Sequence, residues 1–274
     1  MRITKKRYTI EGNLEHPTKL VVLADVHFYS EKNMKKLNKV LKIVESIKPD
    51  YICMPGDLMD SYFVKDENLV VEWIKKLSIV ANVLISIGNH EFIVNHKTYN
   101  HDLFSKIMGI ENCYVLDNES ISFKDISFLG ITIPGEYYEK DECQNDDFII
   151  SNLKNINYKK NKYNIVLCHS PIDFYKKSIL NKLSFSKSID LILCGHMHGG
   201  ITPNFLKPIL RGRGFIRPDG KLFGKMCYGM HDNLGPKCII SSGITKSSHT
   251  NRLEYLDFTF SPEVTIIEIK AKKA

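Results

Sequence analysis

Short apolar runs along the chain repeatedly end in polar clusters. Leu20 to Leu23, Tyr51 to Met54, Val83 to Ile87, Ile165 to Leu167 and Leu191 to Leu193 are almost wholly hydrophobic. That pattern predicts strands covered on both faces. Between them the spacing becomes helical. Asn33 to Ile47 places Met34, Leu37, Val40, Leu41 and Val44 on one side, and Asn68 to Leu77 does the same with Leu69, Val70, Trp73, Ile74 and Leu77. His101 to Met108 is a shorter candidate helix. Alternating strands and helices predict parallel pairing through right-handed crossovers.

The middle of the chain reads differently. Cys113 to Leu116, Ser120 to Phe123 and Ile126 to Ile131 are short runs separated by turn residues, which predicts a meander. Asp146 to Asn155 reads as another helix, and Tyr163 to Leu167 returns to the buried-strand pattern. Cys238 to Ser241 and Val264 to Ile269 supply late strands, the last alternating as an edge strand would. An α/β fold of two packed sheets with helices outside them accounts for this order. No repeat or linker divides the 274 residues, so 1–274 reads as a single domain. Between Gly199 and Gly235 the chain is rich in Gly, Pro and basic residues and has little periodicity. Loops this long usually serve a site, so 199–235 is the expected active-site loop.

Composition adds modest constraints. Hydrophobic content of 43% and charged content of 25% describe an ordinary globular chain. The net charge of +7 is dispersed. It suits anionic substrates or an anionic membrane surface, without a basic channel or motif that would indicate specific nucleic-acid binding. Seven cysteines, an odd number without dense spacing, read as reduced residues of a cytoplasmic protein, at most peripheral to the inner membrane face. Arg2, Lys5, Lys6 and Arg7 precede no long apolar segment, so neither a secretory signal nor a membrane-spanning anchor is expected.

The polar clusters carry the chemistry. They are Asp25-Val26-His27, Gly56-Asp57-Leu58-Met59-Asp60, Gly88-Asn89-His90-Glu91, Cys168-His169 and Gly195-His196-Met197-His198. In an extended segment Asp25 and His27 would share a face and grip one ion, and His196 and His198 could do likewise. Asp57 offers two oxygens for bridging, Asn89 a neutral oxygen, and His169 completes a mixed oxygen and nitrogen set. Such a set at the mouths of several strands suits two divalent metals, Mn, Fe or Zn, and phosphate-ester hydrolysis.

In order and spacing, the five clusters resemble the motifs D-x-H, G-D-x-x-D, G-N-H-[DE], G-H and G-H-x-H of the calcineurin-like metallophosphoesterase superfamily. The resemblance implies a four-layer α/β/β/α sandwich with two metals at the C-terminal ends of its strands. It implies one metal on Asp25, His27 and His198, a second on Asn89, His169 and His196, and Asp57 bridging. It further implies a hydroxide shared by the metals as nucleophile, with Asn89 and His90 contacting substrate. His90 would be the catalytic acid, oriented by Asp60.

Ser61-Tyr62 follow Asp60 where the protein phosphatases of this superfamily typically carry Arg-Gly, which disfavours a protein substrate. The block Gly195 to Ile201 is more similar to bacterial single-domain phosphodiesterases of the G-H-T-H-G-G-Q type, some of which act on lipid-linked phosphates. Met197 and Ile201 depart from that pattern. The expected substrate is therefore a small anionic phosphodiester or pyrophosphate, lipid-linked forms included, with phosphomonoesters as secondary substrates. Two alternatives stand beside hydrolysis: a scaffold without catalysis, although every expected position is filled, and a nuclease, for which a basic channel is missing. In the long loop, Phe205, Leu206, Ile209, Leu210, Phe215 and Ile216 are interleaved with Arg211, Arg213 and Arg217. The simpler expectation is that the apolar residues pack on the sandwich while the cations stay in water. The alternative is a rim that meets an anionic lipid headgroup or membrane surface.

Overall fold

A computed structural model describes residues 3–60, 66–94, 98–99, 101–138, 159, 161–171, 188–203, 205–216, 222–232, 236–245 and 262–271. The chain forms β1 (Thr4–Gly12), β2 (Thr18–Val22), α1 (Met34–Ile47), β3 (Tyr51–Pro55), α2 (Asn68–Val80) and β4 (Asn82–Ser86). Next come β5 (Phe92–Val94), β6 (Thr98–Tyr99), α3 (His101–Met108), β7 (Cys113–Val115), β8 (Ser120–Phe123) and β9 (Ile126–Ile131). Then follow β10 (Tyr163–Cys168), β11 (Leu191–Cys194), α4 (Lys207–Leu210), β12 (Gly229–His231), β13 (Lys237–Ile240) and β14 (Glu263–Ala271).

Two mixed sheets result, flanked by helices. The first has the order β1-β14-β2-β3-β4-β7 and the second β12-β13-β11-β10-β9-β8. Within the first, β2, β3, β4 and β7 run parallel; within the second, β9, β10, β11 and β13 do.

Alternation of side chains explains why the central strands are apolar throughout. Leu20 and Val22 of β2, Tyr51 and Cys53 of β3, Ile165 and Leu167 of β10, and Leu191 and Leu193 of β11 share one core between the sheets. Their neighbours Val21 and Ile52 turn outward to pack with Leu37, Val40, Trp73 and Ile74 of α1 and α2. Val166, Ile192 and Cys194 line an apolar outer face on the second sheet.

Three expectations are corrected. Val264 to Ile269 is not an edge: β14 lies between β1 and β2, with Val264 and Ile266 on one face and Ile267 and Ile269 on the other. Its alternation reflects Thr265, which is buried and donates its hydroxyl to Glu263 Oε1 at 2.7 Å. The edge is β1, whose basic, mostly exposed residues conceal a strand paired with β14 along its whole length. The meander is broken as well: β7 joins the first sheet, and the chain then crosses so that β8 and β9 begin the second. Finally, 199–235 contains α4 and β12. The helix expected over Asp146 to Asn155 lies outside the described residues.

Trp73 shows how the helical layer is held. Its indole is fully buried and its N–H donates to the Leu37 carbonyl of α1 at 2.9 Å. Trp73→Phe keeps an aromatic ring but removes the indole N–H bond to that carbonyl and leaves a small void, and is predicted to cost about 2 kcal/mol. Urea unfolding followed by circular dichroism should give a lower midpoint at unchanged slope. An unchanged midpoint would mean that Leu37 finds another donor.

Candidate active site

All five polar clusters leave the C-terminal ends of parallel strands: β2, β3 and β4 in the first sheet, β10 and β11 in the second. The pairing continues past the strands and holds these loops in place. His27 N donates to Asp57 O at 3.0 Å and Phe28 N to Leu58 O at 3.0 Å, while Gly195 N donates to His169 O at 3.0 Å. Beyond β13, Thr245 N donates to Asp25 O at 2.9 Å and closes the gap between the sheets.

Asp25, His27, Asp57, His196 and His198 all have left-handed backbones, with φ of 49°, 42°, 53°, 64° and 45°. A non-glycine residue pays ~1–2 kcal/mol there, and clustered strain of this kind marks functional sites. Asp25 and His27 therefore converge through two left-handed residues, not through the alternation of an extended strand. His196 and His198 are left-handed too, but they do not share one group: His198 joins Asp25 and His27, and His196 joins Asp57 and His169. Glycine is demanded where backbone meets carboxylate: a Cβ on Gly195 would lie 2.6 Å from Asp25 Oδ2, and one on Gly88 2.3 Å from Asp57 Oδ1.

The side chains form overlapping groups. Ligand-type atoms of Asp25, His27 and His198 lie within 4.8 Å of one another, as do those of Asp57, His169 and His196, and those of His27, Asp57 and His90. Asp57 Oδ2 is 3.0 Å from His169 Nε2 and 3.5 Å from His27 Nε2, so one oxygen reaches both sheets. Asp25 Oδ1 accepts the His196 N–H at 2.8 Å, and Asp57 Oδ1 accepts that of His90 at 3.0 Å. His169 Nδ1 donates to the Pro55 carbonyl at 2.9 Å, which leaves Nε2 facing Asp57. His90 Nδ1 lies 3.8 Å from Asp60 Oδ1, and its ring meets that of His27 edge-on at 4.6 Å.

These residues fit a pair of cations. His27 Nε2 faces His198 Nε2 at 3.3 Å, and His196 Nδ1 faces His169 Nε2 at 3.2 Å. Two imidazole lone pairs so close repel unless a proton or a metal lies between them. Asn89 Oδ1 and Asp25 Oδ2 are buried without a hydrogen-bond partner, a cost that coordination removes. Burial pushes the Asp25 carboxyl up to about 7. Burial also opposes ionisation of Asp57, but His169, His90 and His27 outweigh it and hold this carboxyl well below its usual range. Burial holds His27 and His196 well down, so both imidazoles are neutral donors. Burial would lower His169 too, yet the Asp57 carboxylate raises it to about 9. That proton occupies a place a metal would take.

Comparison with known proteins agrees with this geometry. The sequence profile of the calcineurin-like phosphoesterases matches residues 18–200, a stretch containing every polar cluster. The chain belongs to the calcineurin-like phosphoesterase family. A metallophosphoesterase of Campylobacter jejuni is 27% identical over 268 residues, covering 95% of this chain and 61% of that protein. One named as a metallophosphoesterase in Caenorhabditis elegans is 25% identical over 216 residues, covering 72% of this chain and 40% of that protein. The chain thus spans about half the length of these relatives. The crystal structure of TT1561 from Thermus thermophilus shares the fold, with a TM-score of 0.53 at 11% identity over 82% of this chain and 89% of that one.

Within this calcineurin-like site, two contributors carry no role in the sequence reading. Glu91 is buried, and its carboxylate accepts the N–H groups of Gly88 at 2.6 Å, Asp57 at 3.0 Å and Met59 at 3.1 Å. It ties two metal-site loops together; burial and the nearby Asp57 raise it to about 7. Its place in Gly-Asn-His-Glu was the available signal. Tyr138 sets its ring 5.1 Å from that of His196. Nothing in its local sequence announces that contact. Gly195→Ala is predicted to displace the Asp25 carboxylate and weaken manganese binding at least about tenfold. Equilibrium dialysis with circular dichroism checks this, because the fold should survive. Unaltered affinity would mean that Asp25 does not hold the ion.

Proposed function

We propose that this chain is a dinuclear metal-dependent phosphodiesterase, cleaving a phosphodiester or pyrophosphate bond and phosphomonoesters secondarily. The observation that carries the reading is the Asp57 carboxylate, one oxygen of which lies close to both His27 and His169. Asp25, His27 and His198 would hold one ion, Asn89, His169 and His196 the other, with Asp57 shared. The mixed oxygen and nitrogen donors suit Mn, Fe or Zn. When bound, the ions would supply Lewis acidity and make water nucleophilic near neutral pH.

The remaining work falls to the protein. Asp25 and Asp57 offset only part of the charge of two divalent ions, so the pocket attracts an anionic ester. Asn89 and His90 contact its phosphate. His90 donates a proton to the departing alkoxide; burial disfavours its charge, but Asp57 and Asp60 outweigh burial and raise its pKa, which favours the protonated ring. Asp60, buried beside the ring, holds its orientation. Ser61-Tyr62 after Asp60 supply no arginine for a protein phosphate, which favours small esters, lipid-linked ones included. The same reading treats the chain as one domain and 199–235 as its active-site loop. The six described cysteines are free and buried, which supports a cytoplasmic setting.

Manganese-dependent hydrolysis of bis(p-nitrophenyl) phosphate tests the proposal. His90→Ala is predicted to lower kcat by about 10²–10⁴ while leaving bound metal near two equivalents. Asp57→Asn should lose both activity and metal. Wild-type protein that binds manganese but hydrolyses no ester would identify a scaffold, and full activity in both variants would refute the assigned roles.

A further inference from the structure

The long stretch after His198 leaves several of its large apolar residues exposed. Among the described residues the large exposed hydrophobics are Ile79, Met108, Phe205, Ile209, Phe215, Leu222, Phe223 and Met230, and six of these eight fall between 205 and 230. Phe205 is 71% exposed, Ile209 73% and Leu222 63%. The expectation that the loop's apolar side chains pack on the sandwich therefore fails for Phe205, Ile209 and Phe215, whereas Leu206, Leu210 and Ile216 are half-buried. Glycine contacts fix the stretch close to its root instead: a Cβ on Gly200 would lie 2.3 Å from Gly214 Cα and 2.8 Å from Cys227 Cβ.

Two structured pieces present them. Phe205 and Ile209 are four positions apart around the start of α4, where Ile209 N donates to Leu206 O at 3.0 Å. Phe215, Leu222 and Phe223 belong to a small turn in which Ile216 bridges Leu222 and Phe223 N donates to Phe215 O at 3.1 Å. The Phe215 and Phe223 rings meet edge-on at 5.2 Å while both stay exposed.

Charge selects the occupant. From 203 to 231 the sequence holds Lys207, Arg211, Arg213, Arg217, Lys221 and Lys225 against a single acid, Asp219. Arg211, Arg213 and Lys225 are exposed, and among the described residues none of them forms an ion pair. Exposed aromatic and aliphatic side chains in the same stretch as the exposed Arg211, Arg213 and Lys225 match the boundary between anionic headgroups and acyl chains. A protein partner would more commonly present carboxylates around a flat apolar core, whereas the apolar tips here protrude separately from two pieces. No described helix is long and apolar enough to cross a membrane, so the contact is with its surface.

We infer that the 205–230 stretch docks this protein on an anionic lipid bilayer, with Phe205, Ile209, Phe215, Leu222 and Phe223 entering the interface and Arg211 and Arg213 meeting lipid phosphates. The inference deepens the proposed function, because Gly199 and Gly200 join this surface directly to His198. A docked molecule would hold its metal cluster close to the headgroup layer, where a lipid-linked phosphate ester is available.

Flotation of the manganese-loaded chain with vesicles separates the outcomes. Wild type is expected to float with phosphatidylglycerol–phosphatidylcholine vesicles at least about tenfold better than with phosphatidylcholine alone, and to lose most of that advantage in high salt. Ile209→Ser with Leu222→Ser, and separately Arg211→Gln with Arg213→Gln, should each reduce binding about tenfold or more. Both double variants should keep the wild-type circular dichroism spectrum and bind manganese as wild type does, which shows that they fold. Wild type that stays with the soluble fraction, or variants that float as well as wild type, would overturn the inference. So would a dimer in sedimentation that the Ile209 and Leu222 substitutions abolish without any vesicle binding, since it assigns the surface to a second copy. Vesicle binding without any ester hydrolysis would refute the enzymatic reading alone.

Discussion

One short contact between the two sheets organises this molecule. Asp57 follows β3 of the first sheet, His169 follows β10 of the second, and their side chains meet at 3.0 Å. Both ends must arrive on the same side, which is what parallel strands in both sheets provide. The apolar layer holding Leu20, Cys53, Leu167 and Leu193 sets the spacing of the sheets. Packing fixes the sandwich, and the sandwich fixes how far apart the carboxylate and the imidazole can be.

Holding that geometry carries a local cost. Five non-glycine residues of the cluster have left-handed backbones, and buried carboxylates lie beside neutral imidazoles. The surrounding structure compensates. Glu91 gathers three backbone N–H groups from the loops that carry Asp57 and Asn89. Gly88 and Gly195 remove the side chains that would strike Asp57 and Asp25. The Asp57 carboxylate outweighs burial at His169 and raises that imidazole to about 9, so the two groups facing each other across the sheets are charge-matched.

Much of this was legible in the sequence, for physical reasons that differ from part to part. Strands buried on both faces are hydrophobic at every position, so β2, β3, β10 and β11 announced themselves, and so did the polar residues that ended them. The motif glycines were visible, although only coordinates reveal that they make room for carboxylates. β1 was hidden because an edge strand with an exposed face can be basic, as Lys5, Lys6 and Arg7 are. β7 and β8 could not be assigned to different sheets from local pattern, since short strands read alike whichever neighbour they pair with. Tyr138 reaches His196 from a part of the sequence without any metal-ligand pattern. The fate of the loop apolar residues also turned on tertiary structure: Phe205, Ile209 and Phe215 are exposed while Leu206, Leu210 and Ile216 are half-buried, a division the local sequence does not mark.

The central claim is that Asp57 sits between two cations, each held by residues from both sheets. Anomalous diffraction at the manganese edge from crystals grown with the metal tests it most directly. The account predicts two peaks about 3.5–4 Å apart, one beside His27 and His198, the other beside His169 and His196, with the Asp57 carboxylate between them. A single peak, or a pair lying away from Asp57, would contradict it.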